Sequence, residues 1–99
     1  MPDLWLHTNL DSTKRDKLLG EVRDGRLTAY LDKAHGDENY GAWLFLVDVY
    51  LRKTFGIGHD DLSDFTWHDE HLGGASPRDA AHGALENDDL GQMMLAAVR

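Results

Sequence analysis

Three histidines and a run of acids between residues 59 and 71 are the side chains of this sequence best equipped for chemistry. His68 and His71 are three apart, so on a helix they share a face, and Asp64 stands about one turn before His68. Zinc takes two imidazoles and a carboxylate readily, so His68, His71 and either Asp64 or His59 have the composition of a metal site, and with it of a metal-dependent hydrolase. The ordered zinc motifs are missing, however. H-E-x-x-H does not occur, and H-x-x-E-H fails because Trp67 stands where its first histidine belongs. Ligand spacing carries little weight in a stretch this rich in Asp, and capping or solvated roles explain the same residues. The expectation is therefore no metal and no cofactor.

Other chemistries fare no better. Carboxylate pairs can be drawn almost anywhere, but acid–base work needs two of them facing across a cleft, and nothing singles out a pair. His59-Asp60 has the His-Asp step of phosphohydrolase sites without the further ligands those sites need. DENYG at 37–41 and NDDLG at 87–91 lack the alternating acids, the central glycine and the terminal Glu of a calcium loop. Gly56-Ile57-Gly58 has neither a third glycine nor a preceding strand, so it reads as a helix end and a turn and not as a phosphate cradle. There is no cysteine, which excludes disulfides and thiolate chemistry. Catalysis is not expected.

Charge is the more informative feature. The 99 residues carry 18 acids against 10 Lys and Arg, a net charge of −8. Residues 1–36 are neutral, and the excess lies in 37–89. Asp60, Asp61, Asp64, Asp69, Glu70, Glu86, Asp88 and Asp89 are the candidates for an acidic interaction surface. Such a surface suits a protein partner, a basic one included, and opposes direct binding to nucleic acid or anionic lipid. Regularly spaced carboxylates could imitate a DNA backbone and inhibit a nuclease or DNA-binding protein. The plainer reading is that negative charge keeps a small protein soluble. No signal segment is visible and the apolar run 42–51 is interrupted by Asp48, so a cytoplasmic location with no membrane span is expected.

The elements that must position these residues are helical. With 41% hydrophobic and 28% charged residues, one small globular domain is expected over 1–99. Residues 1–11 show no clear period and leave room for a short strand or an arm. Ser12 or Thr13 can cap a helix ending near Asp24-Gly25, and 27–34 is read as a short helix in preference to a strand. The strongest element is 39–55, apolar around most of its circumference, with Asn39 as cap and Gly56 as terminator; it must be central. Leu62, Phe65, Trp67 and Leu72 should anchor the following segment. Ser76-Pro77 starts a helix to about Asn87, and Asp88 or Asp89 caps a last one, unless the two run on as one. The fold class is an all-α domain of four to six short helices around the central one.

One stretch, residues 56–81, resembles a motif of small uncharacterised bacterial proteins of phages, plasmids and other mobile elements. The matching positions are Gly56 or Gly58, Asp61-Leu62-Ser63-Asp64, Trp67, Asp69, Gly74, Pro77 and Ala80; His71-Leu72-Gly73 departs from the pattern. The resemblance implies a small helical accessory protein and assigns no reaction. The expected function is thus non-enzymatic protein binding.

Overall fold

The structure, a computed structural model, describes residues 4–62 and 65–98. Asp64 lies outside the described residues. The elements run α1 (Leu4–Asn9), α2 (Ser12–Asp24), α3 (Thr28–Lys33), α4 (Glu38–Phe55), a 3₁₀ turn (His59–Asp61), α5 (Trp67–Leu72), α6 (Pro77–Glu86) and α7 (Asp89–Val98). Among the described residues there is no strand. The all-α class holds, with seven α-helices in the described part. The N-terminal strand does not: residues 4–9 are a short helix whose Leu6 is fully buried. Six residues are too few to show a helical period, so this one was hidden from pattern reading.

α4 is central because it is apolar on two faces, and the chain covers both. One face, with Trp43, Leu44, Val47 and Leu51, forms the main core with Leu62, Trp67, Ala80, Ala81, Ala84, Leu85 and Leu95. The other presents Ala42 and Leu46 to Leu6, Val22, Leu18, Leu27 and Leu31, a second and smaller core under α1–α3. The small residues of α6 let it lie close against α4, as their types suggest.

The caps follow electrostatics more than expected positions. The Asp11 carboxylate, not Ser12 or Thr13, accepts from the Lys14 N–H at 2.9 Å and starts α2. Asp37, not Asn39, accepts from the Tyr40 N–H at 3.1 Å, so α4 begins ahead of the expected cap. A carboxylate suits the positive end of a helix better than a neutral amide does. Gly56, at φ 75°, closes α4 as expected. Ser76 Oγ accepts from the Asp79 N–H at 3.0 Å, with Pro77 opening α6.

α6 and α7 are two helices. Asp88 turns the chain by accepting from the Gly91 N–H at 2.9 Å, and α7 folds back on α6 with Gly91 buried against it. A Cβ at Gly91 would lie 2.5 Å from the Leu85 carbonyl oxygen and 2.7 Å from its Cα. Backbone cannot yield as a flexible side chain can, so Gly91→Ala is expected to lower stability by about 1–3 kcal/mol, the usual range for overpacking. Urea unfolding checks this, and an unchanged midpoint would show that α7 does not pack as described.

Candidate functional site

Among the described residues, a dense set of interacting polar groups is one that acid counting overlooked. Asp48 falls one turn after Leu44 and three residues before Leu51, which places it on the buried face of α4, at 2% exposure. A carboxylate cannot stay ionised there without donors. It has three: the Tyr30 hydroxyl donates at 2.6 Å, the His59 backbone N–H at 2.7 Å, and His59 Nδ1 at 2.8 Å. Burial alone would raise the Asp48 carboxyl, but the His59 and Tyr30 hydrogen bonds outweigh it and hold the group at about 2. Burial, then the bond to Asp48, pushes the Tyr30 phenol up to about 12.

The chain of contacts continues outward. His59 Nε2 lies 3.0 Å from Asp60 Oδ1, and the other oxygen of Asp60 pairs with Lys33 Nζ. Each ring nitrogen of His59 thus faces a carboxylate oxygen, Nδ1 that of Asp48 and Nε2 that of Asp60. α3, α4 and the 3₁₀ turn are thereby joined by one series of polar contacts, from Asp48 through His59 and Asp60 to Lys33. Asp61 holds the turn itself, accepting from the Gly58 N–H at 2.9 Å.

Beside this chain opens a cavity of about 400 Å³, lined by Lys33, Tyr40, Leu44, His59, Asp60, Leu62, Phe65 and Trp67. The Asp48–His59 pair has the orienting half of an acid–base dyad, a buried carboxylate fixing one ring nitrogen. The second nitrogen, which would exchange the proton, is engaged by Asp60. As built, the arrangement fastens elements together and lines the pocket with paired charge.

The histidines weighed as possible metal ligands are distributed around the neighbouring aromatic cluster. His71 is buried, with ring centroids 5.2 Å from Tyr40 and 5.3 Å from Trp43. His68 is exposed and stacks on Tyr40 at 4.8 Å. His59 meets Trp67 edge-on at 5.9 Å. Among the described residues no three metal-ligating side chains converge. The expected anchor Leu72 is 46% exposed, and His71 has its place inside. Trp67 and residue 71 are one helical turn apart, whereas residue 72 is rotated away by about 100°.

Seven of the eight candidate acids, all but Asp64, are among the described residues, and they divide by duty. Asp60 and Asp61 serve the turn, and Asp88 turns the chain into α7. Asp69 is exposed and Glu70 half-buried in the first turn of α5, while Glu86 and Asp89 are exposed at the α6–α7 junction. No helix among the described residues is long and apolar enough to cross a membrane.

Known proteins resemble about half of the chain. The "Gene 87 protein" of Mycobacterium phage D29 is 38% identical over 50 residues, which are 50% of this chain and 93% of the phage protein. Its namesake in Mycobacterium phage L5 is 35% identical over 52 residues, 52% of this chain and 98% of that protein. No solved structure matches. The kinship with small phage proteins implied by residues 56–81 therefore stands, although the motif that suggested it is a separate matter. Residues 39–89, from the start of α4 to the start of α7, match the family model described as "Family of unknown function (DUF5419)", and the chain belongs to that family.

Proposed function

We propose that the protein is a non-enzymatic accessory factor that binds a basic protein through the acidic surface of its family segment. The observation that supports this reading is the location of the charge. Residues 39–89 contain ten acids against Arg52, Lys53 and Arg78, so the segment holds −7 of the net −8. Asp48 is spent inside and Asp60 is paired, but Asp69, Glu86 and Asp89 stand in solvent with Glu70 partly so. Exposed carboxylates contribute little to the stability of a small fold. They do steer a positively charged partner and speed its encounter. The same sign disfavours nucleic acid, whose binding depends on neutralising phosphate.

The test is affinity capture from a mycobacterial lysate, comparing the full chain with Asp69→Asn/Glu70→Gln/Glu86→Gln/Asp89→Asn. The unaltered chain is expected to retain a basic protein that rising salt releases. The variant, missing four exposed pairs worth a few tenths of a kcal/mol each, should bind it roughly tenfold more weakly. Competition by duplex DNA would locate the contact in the partner's nucleic-acid groove and make the protein a DNA mimic. Equal capture by both forms, or retention indifferent to salt, would sink the proposal.

A further inference from the structure

α7 leaves part of its apolar character in water. Among the described side chains of this helix Leu95 and Gly91 are buried, while Leu90 and Met93, three residues apart, are 52% and 68% exposed. Asp89 immediately precedes them, and Glu86 closes α6 just before; both are exposed. The result is a short apolar ridge with an acidic end.

Elsewhere on the surface lies its complement. A groove of about 500 Å³ is lined by the apolar side chains Leu18, Leu27 and Phe45 together with the basic Lys14, Lys17 and Arg26. Lys14, Lys17 and Leu18 share one face of α2 at spacings of three and four. Glu21 lines the groove too, but its carboxylate accepts from the Arg26 N–H at 2.9 Å and pairs with Arg26 Nε at 3.3 Å. Those two charges offset one another, and the net sign of the lining is that of the two lysines.

We infer that this groove receives α7 of a second copy of the chain. Leu90 and Met93 enter between Leu18, Leu27 and Phe45, while Glu86 and Asp89 meet Lys14 and Lys17. The chain's own α7 does not reach: it packs on α6, whereas α2 packs on α1, α3 and α4. Charge selects the occupant, because an apolar groove lined with basic side chains fits an acidic-ended apolar helix and this chain carries one. A contact between two different surfaces is heterologous, so copies add head to tail as rings or open chains and do not close as a twofold dimer. The patches are small, which makes the association weak, with a dissociation constant on the order of 100 µM.

Sedimentation velocity of the full chain, from well below to well above that concentration, reads the outcome. The unaltered chain should gain mass with concentration. Lys14→Glu/Lys17→Glu and Glu86→Lys/Asp89→Lys should each bind at least about tenfold more weakly, since two attractive pairs become repulsive. An equimolar mixture of the two variants should associate again, the acidic groove of one accepting the basic α7 of the other. Met93→Ser, at an exposed position, should weaken association without unfolding the chain. A monomer at every concentration, a mixture that stays monomeric, or charge-reversed variants that associate normally would each overturn the inference. So would binding to vesicles of equal phosphatidylglycerol and phosphatidylcholine that Lys14→Glu/Lys17→Glu abolishes, since the groove would then hold lipid. Lys14→Glu/Lys17→Glu leaves the acidic surface of the family segment intact, so its capture of a basic partner separates this inference from the proposed function.

Discussion

Asp48→Ala is expected to cost about 3–5 kcal/mol, the loss typical of removing one partner from a buried ionic pair. A 99-residue domain has only about 5–15 kcal/mol to lose. The change strips Tyr30, the His59 amide and His59 Nδ1 of their acceptor at once. It also leaves the His59 ring, 7% exposed, inside the protein with its Asp48 contact gone. Asp48→Asn keeps the shape and one acceptor oxygen and should cost less. Asp48→Leu combined with His59→Leu removes donor and acceptor together, so it should cost less than the sum of the single changes.

The same carboxylate makes the effect depend on pH, and its sign is fixed. The folded Asp48 is held at about 2, below the ordinary 3.8. Between those values the unfolded chain binds more protons than the folded one. The contribution of the ionised group is therefore complete above about pH 4 and disappears as pH falls through about 2, a difference of about 2 kcal/mol. Urea unfolding of the native chain and of Asp48→Asn should show a constant gap from neutral pH to about 5 that narrows by about 2. A gap that is equal at both ends would mean that Asp48 is not ionised in the fold.

Why Asp48 escaped a reading of the sequence is instructive. Within AWLFLVDVYL it looks like an interruption of an apolar run. Set against Leu44 and Leu51, however, helical spacing already places it on the buried face, and a lone carboxylate there demands donors from elsewhere. The demand was legible; the donors were not. Tyr30 is 18 residues away and His59 is 11, and only tertiary packing brings them in. α4 was legible because its apolar residues nearly encircle it, and α6 because Ser76-Pro77 is a strong local start. α5 has six residues, too few for periodicity to decide between Leu72 and His71 as the inward side chain. The acidic surface was legible as a total and not as a map, since three of its members turned out to hold turns or pairs.

Trp43→Ala should be comparably damaging, at about 3–5 kcal/mol, and its damage should be uneven. Trp43, on α4, is the largest of the fully buried side chains among the described residues. Its ring lies against Tyr40, Trp67 and His71, and its Nε1 donates to the Ala75 carbonyl at 2.9 Å. Most of those contacts fix α5 and the turn that follows. A six-residue helix has no stability of its own, because nucleation costs more than so few bonds return. α5 therefore depends on Trp43 in a way that α2, packed on the opposite face of α4, does not. Hydrogen exchange should show the amides of 67–75 losing protection to a greater degree than those of α2, alongside the global loss. Trp43→Phe refills much of the cavity but cannot donate to Ala75, so it should recover global stability more fully than it recovers protection at 73–76. Uniform loss across the chain in both variants would show that α5 is held by something other than Trp43.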